Sequence, residues 1–414
     1  MIKPPLRPWQ IAALNEWREA GRHGIVAAAT GTGKTRVAIE VLSETPANWV
    51  RVVVVPTTSL QHQWVDVITR QLGIHPREVG TLGGERPSYE LGQRLLVAVL
   101  NSARDRLPPL VDHWRQSGLS TLLIVDECHR AGAPETAKAL WSTHYDATLG
   151  LSATPERGDD GLDDFLIPAL GPVVYRYALR DALDQGVLSK LTAANLYLDL
   201  GQLEMAEYRS VEQRIQQLMA EGAGQSDPRV KRLRADQQAV TRKAAGRHIA
   251  LAALLGAGLL DERRSLVFHE TIEQAEITGA LLDVHGCRYA VEHSRLSPQA
   301  RATALRRFAA GSVDVLATVR ALDEGIDVPA ANTAVIVSGT MNPRQRLQRA
   351  GRIVRPAGGG SLLISLLARG TTEELEVGAK DAALFGSSRI NHIAAWDHAN
   401  AKPVVAFLRS LAAD

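Results

Sequence analysis

Short runs of Val, Ile, Leu and Ala punctuate the chain, and the stretches between them carry apolar residues at three- and four-residue steps. In the first half the runs are 24–29, 51–55, 95–100, 121–125 and 148–151; in the second they are 265–269, 287–291, 313–318, 333–337 and 361–366. Uninterrupted apolar runs alternating with amphipathic helical stretches predict strands buried on both faces, paired in parallel and joined by crossover helices. The fold class is therefore α/β, and two similar strand sets predict two parallel-sheet lobes in tandem. Between the sets, 204–260 reads as helix, because Met205, Tyr208, Val211, Ile215 and Leu218 share one face. The turn-rich segment 222–228, Gly-Ala-Gly-Gln-Ser-Asp-Pro, breaks it into a hairpin. The organisation expected is a first lobe over 1–200, a helical insert or linker over 201–260, and a second lobe with a C-terminal tail over 261–414.

Composition sharpens this picture in two places. With 45% hydrophobic and 22% charged residues in 414, the chain has the balance of a globular protein with packed cores. The formal charge of +2 excludes a global positive field, so any nucleic-acid contact must come from a local patch. One such patch is 229–247, where Arg229, Lys231, Arg232, Arg234, Arg242, Lys243 and Arg247 face Asp236 alone. It reads either as a solvated helix face or as a phosphate-contacting surface that uses Arg232, Arg234 and Lys243. Cys128 and Cys287 have no zinc or redox spacing, and the N-terminus has no apolar leader-like core. A cytoplasmic location without a membrane span is expected.

The strongest local chemistry is Ala28-Ala29-Thr30-Gly31-Thr32-Gly33-Lys34-Thr35, set between an apolar run and a helical stretch. This is a Walker A pattern. Small residues let the backbone N–H groups of 30–33 close around phosphate oxygens, and the helix start adds a favourable dipole. Lys34 can reach the β- and γ-phosphates of ATP, and the Thr35 hydroxyl can bind Mg²⁺. Further on, the run ending in Asp126-Glu127 is a Walker B pattern. There Asp126 can hold the metal while Glu127 orients or deprotonates the attacking water.

The order Asp126-Glu127-Cys128-His129 followed by Ser152-Ala153-Thr154 resembles motifs II and III of superfamily 2 helicases. The run 152–161 together with 170–175 looks most like the XPB-like branch of that superfamily. The resemblance covers most of residues 6–356 and implies two RecA-like lobes that hydrolyse ATP between them. It also implies a DNA helicase or duplex translocase, commonly of 3′ to 5′ polarity. In the same family pattern, 342–356 is similar to motif VI, read as one short helix on which Gln345, Arg349 and Arg352 share a face. Arg352 and Arg355 then match the two arginine fingers, and so concentrated a guanidinium row needs an anionic partner. The segment 318–329 is similar to motif V, with Gly325 approaching ligand, Asp327 on the ribose and Thr318 on the nucleic-acid backbone. Arg7 and Gln10 resemble an adenine-reading Q-motif, since an amide can donate and accept together.

Strand-holding motors of this kind grip phosphates through hydroxyls and amides at helix starts. Thr57, Thr58 and Ser59 resemble motif Ia and are followed by Gln61-His62-Gln63-Trp64, also familiar from the family; Asn101 and Ser102 are the next candidates. Each could equally be an ordinary helix cap. The partner expected is DNA, single-stranded, forked or duplex, or else RNA. Because no nuclease signature is visible, a protein partner that supplies cutting or targeting is a further expectation. Two alternatives stand beside the helicase reading: a duplex-DNA translocase that does not separate strands, and a nucleic-acid sensor that binds ATP without turning it over.

Overall fold

The structure is a computed structural model and describes residues 5–84, 87–90, 92–141, 144–156, 159–260, 263–319, 331–338, 343–354, 359–386, 389–394, 396 and 400–411. The chain divides into two units, Met1–Ala182 and Leu183–Asp414. Each is built on a seven-stranded parallel sheet.

In the first unit the strands are β1 (His23–Ala28), β2 (Val50–Val55), β3 (Val79–Leu82), β4 (Leu95–Val99), β5 (Thr121–Asp126), β6 (Ala147–Ser152) and β7 (Val173–Tyr177). Their order across the sheet is β3-β4-β2-β5-β6-β1-β7. The helices are α1 (Pro8–Glu19), α2 (Lys34–Glu44), α3 (Thr58–Leu72), α4 (Leu100–Gln116), α5 (Pro134–Trp141), α6 (Ile167–Leu170) and, at the boundary, α7 (Leu179–Asp184). Central strands such as β2, Val-Arg-Val-Val-Val-Val, have helices on both faces and so are apolar at nearly every position rather than at alternate ones. The core gathers Ile25, Val52, Val54, Leu96, Leu123 and Val125 against Leu107, Val111 and Trp114 of α4.

In the second unit the strands are β8 (Leu191–Leu198), β9 (Ser265–His269), β10 (Tyr289–Glu292), β11 (Val315–Val319), β12 (Thr333–Ile336), β13 (Ser361–Ala368) and β14 (Ile390–Ile393), in the order β10-β11-β9-β12-β13-β8-β14. Its remaining helices are α8 (Gln202–Ala220), α9 (Pro228–Lys243), α10 (Ala245–Gly256), α11 (Ile272–Val284), α12 (Pro298–Ala309), α13 (Pro343–Ala350), α14 (Thr372–Phe385) and α15 (Ala401–Leu411).

The helical stretch expected as a link between lobes lies within the second unit. Strand β8 precedes it and pairs with β13 from Leu191 opposite Ser361 to Leu198 opposite Ala368, so residues assigned by pattern to the first lobe belong to the second sheet. Helices α8 and α9 form the expected hairpin, closed by Val211, Ile215, Val230 and Leu233. Tyr208 ties it to α14 by accepting from the Thr372 N–H at 2.8 Å. By contrast α10 belongs to the main core, through Ala250, Leu251, Leu254 and Leu255.

Among the described residues no helix is long and apolar enough to cross a membrane.

Candidate functional site

In an open parallel sheet, ligand-binding residues collect where strands end and helices begin. The first unit follows this rule. Strand β1 stops at Ala28 and α2 starts at Lys34, and the loop between them turns on Gly31 and Gly33, with φ of 83° and 99°. A side chain would strain both positions, so the loop can point successive N–H groups inward only because these residues are glycine. Thr32 is fully buried and donates its hydroxyl to the Ala29 carbonyl at 2.6 Å, which leaves its backbone, not its side chain, for a ligand.

Two side chains brace the loop from behind. Arg7 donates Nη1–H to the Thr32 carbonyl at 2.9 Å, and Gln10 donates its amide to the Gly33 carbonyl at 3.1 Å. The Gln10 Oε1 accepts from the Arg7 N–H at 2.9 Å, so both ends of the amide expected to read adenine are engaged within the protein. Helix α1 reaches this position because Trp9 stacks on Tyr177 of β7 with ring centroids 4.8 Å apart. Lys34, only 8% exposed, makes no hydrogen bond or ion pair through its ammonium among the described residues. A largely buried cation without a direct ion-pair partner at the mouth of such a loop fits a phosphate. Thr30 and Thr35 flank it, both half-buried.

Two strands away, β5 ends on Asp126. Its Oδ2 accepts from the Trp64 indole N–H at 2.8 Å and its Oδ1 from the Glu127 N–H at 3.0 Å. Burial first, and the adjacent Glu127 carboxylate second, push Asp126 up to about 6, against the smaller opposing effects of Trp64 and Lys34. Glu127 is one of two described non-glycine residues with positive φ, at 47°. That conformation costs on the order of 1–2 kcal/mol, strain of the kind that collects where a side chain must be aimed. Its Oε2 is buried without a hydrogen bond, although His129 Nδ1 lies 3.4 Å away. We take the geometry as a contact and not a bond, because His129 Nδ1 is 3.0 Å from Ser152 Oγ. Ser152 Oγ also accepts from the Thr154 N–H at 3.1 Å, so the segments that resemble motifs II and III are joined through one hydroxyl. A carboxylate crowded by another carboxylate, beside a hydroxyl and a phosphate loop, suits Mg²⁺, which takes few protein ligands and completes its shell from phosphates and water. Among the described residues no cluster of three or more His, Cys, Asp or Glu could hold a metal by itself.

In the second unit, the helix expected over 342–356 is shorter. Helix α13 ends at Ala350, and Arg352 sits half-buried in the turn that follows, so it does not continue the face of Gln345 and Arg349. Internal carboxylates partly neutralise the arginine row. Arg346 forks onto Asp381 at 2.6 and 2.5 Å, and Arg349 reaches Glu270 at 3.2 Å while lying over the Phe268 ring. Arg355, Gly325 and Asp327 lie outside the described residues.

Among residues expected on a nucleic-acid track, Thr57 caps α3 and accepts from the Leu60 N–H at 3.3 Å, with Thr58 and the exposed Ser59 in the first turn. Asn101 is exposed and Ser102 half-buried, and both lie inside the first turn of α4 rather than at its cap. Thr318 differs from expectation: it is fully buried and donates to Glu292 at 2.9 Å, which turns its hydroxyl away from any surface strand. Arg232, Arg234 and Lys243 are exposed on α9. Arg247 is not part of that face. It is 2% exposed and donates to the carbonyls of Thr241, Val337 and Leu366 and to the Glu373 carboxylate. No composition signal separates it from its basic neighbours; only its place in α10, among apolar residues at three- and four-residue steps, could have done so.

Comparison with known proteins gives two family matches, one in each half of the chain. Residues 3–157 match the model described as Type III restriction enzyme, res subunit, and residues 249–357 match the helicase conserved C-terminal domain. The chain is 27% identical to a DNA 3'-5' translocase XPB2 of Sulfurisphaera tokodaii, over 90% of this chain and 83% of that protein. It is 30% identical to a putative DNA 3'-5' helicase Rad25 of Halobacterium salinarum, over 89% of this chain but only 55% of the relative. Solved structures with the same fold include Saccharomyces cerevisiae Dbp5 bound to RNA and ADP BeF3 (TM-score 0.63, 14% identity, 98% of this chain and 93% of that one). A second is the type ISP restriction-modification enzyme LlaBIII bound to DNA (TM-score 0.65, 15% identity, 100% of this chain and 33% of that one).

Proposed function

We propose that the chain is a superfamily 2 ATPase closest to the XPB-like branch, an ATP-driven DNA helicase that translocates on DNA and separates its strands. The observation that carries this reading is the charge arrangement at the ends of β1 and β5. There a largely buried Lys34 without a direct ion-pair partner among the described residues follows a left-handed glycine loop, and Asp126 is crowded by a strained Glu127. Lys34 and the backbone of 30–33 bind the ATP phosphates, and Thr35 with Asp126 holds Mg²⁺. Bound there, Mg²⁺ supplies positive charge to the phosphate oxygens. Glu127 orients the attacking water and takes its proton, and the family resemblance gives Arg352 and Arg355 the stabilisation of charge that develops on the transferred phosphoryl group. Arg7 and Gln10 keep the loop in its binding shape.

Thr57, Thr58, Ser59, Asn101 and Ser102 are proposed to hold the DNA backbone on the first unit, and Arg232, Arg234 and Lys243 on the second. The names of the two relatives that align with about nine tenths of this chain support DNA and a 3′ to 5′ direction. The test is ATP turnover with single-stranded, forked and duplex DNA and with RNA, beside strand-displacement and triplex-displacement assays. Stimulation by DNA with strand displacement is the expected result. Triplex displacement without strand separation would move the reading to a duplex translocase, and no turnover with any nucleic acid would leave only a sensor.

A further inference from the structure

Trp64 donates to Asp126, and the site chemistry above leaves it without a role. It is 2% exposed and sits two turns into α3, the helix whose first turn carries Thr57, Thr58 and Ser59. Its indole N–H is a donor only, so the 2.8 Å contact to Oδ2 favours the ionised carboxylate and fixes the plane in which its remaining lone pairs point. Between the helix start and Trp64, Gln61 donates its amide to the carbonyls of Leu82 and Val97, at 3.2 and 2.8 Å, and so pins α3 to the end of β3 and the middle of β4. The seven steps from Thr57 to Trp64 span about 10 Å of helix.

We infer that Trp64 is a positioning residue, which orients Asp126 for Mg²⁺ and transmits to it the engagement of the α3 start by a nucleic-acid backbone, with Gln61 as the fulcrum. This rests on the ATP and Mg²⁺ reading of the site given above. It makes α3 a direct link, within the first unit alone, between the DNA-holding turn and the metal carboxylate. Partners that orient a metal ligand typically change metal affinity 10- to 100-fold when removed.

The test uses the full chain and a fluorescent ATP analogue, whose affinity is measured with Mg²⁺ and with EDTA. Trp64→Phe should lose on the order of 10-fold of the affinity that Mg²⁺ adds, with the EDTA value unchanged. Trp114→Phe is the packing control, because Trp114 is equally buried and its indole N–H donates to Tyr89 at 3.0 Å and not to Asp126; it should alter neither value. If Trp64→Phe unfolds the chain, benzothienylalanine at position 64 keeps the shape and removes only the donor. In parallel, the ¹⁵N indole resonance that disappears in Trp64→Phe should shift when single-stranded DNA is added without nucleotide. An unchanged Mg²⁺-dependent affinity in a folded Trp64 variant overturns the positioning role, and an indole resonance indifferent to DNA overturns the transmission. If Lys34→Ala binds the analogue as well as the parent chain, the nucleotide site itself is misplaced, an outcome distinct from either.

Discussion

Arg247 offers the sharpest separation between a charge that folds the protein and a charge that binds DNA. Replacing it with Ala removes one guanidinium that is 2% exposed and satisfies three carbonyls and one carboxylate. Glu373, 5% exposed, keeps only the Ala368 N–H at 3.0 Å as a described donor to its Oε2, so the variant leaves a buried carboxylate without its counter-ion. Breaking a buried pair from one side costs about 3–5 kcal/mol. The carbonyls of Val337 and Leu366, at the ends of neighbouring strands, add to this where water cannot reach them. We expect Arg247→Ala to destabilise the second unit by about 4 kcal/mol, read as a lower urea midpoint of its transition at an unchanged m-value. Adding Glu373→Gln should recover part of the loss, because it removes the stranded charge. A loss below about 1 kcal/mol, or intact stability with a reduced salt slope for DNA binding, would refute the reasoning and return Arg247 to the basic surface.

The exposed residues of the same stretch should behave in the opposite way: neutralising Arg232, Arg234 and Lys243 together should flatten the salt dependence of DNA binding and leave stability within about 0.5 kcal/mol. His269 is buried with both ring nitrogens unbonded, and burial lowers it to about 3. The unfolded chain therefore takes up that proton first as pH falls below about 6.5, so the second unit should lose stability from there toward pH 3. His269→Leu should flatten that acid limb, measured by urea midpoints at stepped pH. Arg352→Ala should reduce DNA-stimulated turnover by a factor on the order of 10³ with far less change in ATP affinity, and Lys should substitute poorly for its planar fork. Loss of DNA binding with turnover intact would instead place Arg352 on the track.

Much of this architecture is legible in local pattern, and the parts that are not share a physical reason. The long Val-, Ile- and Leu-rich strands, from β1 to β13, announce themselves because burial on both faces leaves no room for polar residues. Strand β8 does not: Leu-Thr-Ala-Ala-Asn-Leu-Tyr-Leu carries a buried Asn195 and joins β13 about 170 residues away, a pairing no local window contains. That distant pairing is why the helical hairpin reads as a link between lobes when it is an excursion within the second. Strands β3 and β14 are four residues long, one with a glycine and the other an edge strand with a histidine, and are too short for a periodic signal.

The same contrast holds at the site. Phosphate-loop glycines and paired carboxylates are adjacent in sequence and so are visible there. The contacts of Trp64 with Asp126 and of Thr318 with Glu292 bridge 62 and 26 residues, and they decide which side chains remain available.

The measurement that bears most directly on the account compares Lys34→Ala with Glu127→Gln for nucleotide affinity and DNA-stimulated turnover. The proposed site assigns Lys34 to phosphate binding and Glu127 to the attacking water, with Asp126 left in place to hold Mg²⁺. Lys34→Ala should therefore lose affinity and turnover together, while Glu127→Gln should bind ATP as the parent chain does and hydrolyse almost none of it. Equal loss of nucleotide affinity in both variants, or near-normal turnover in Glu127→Gln, would contradict the assignment of the site.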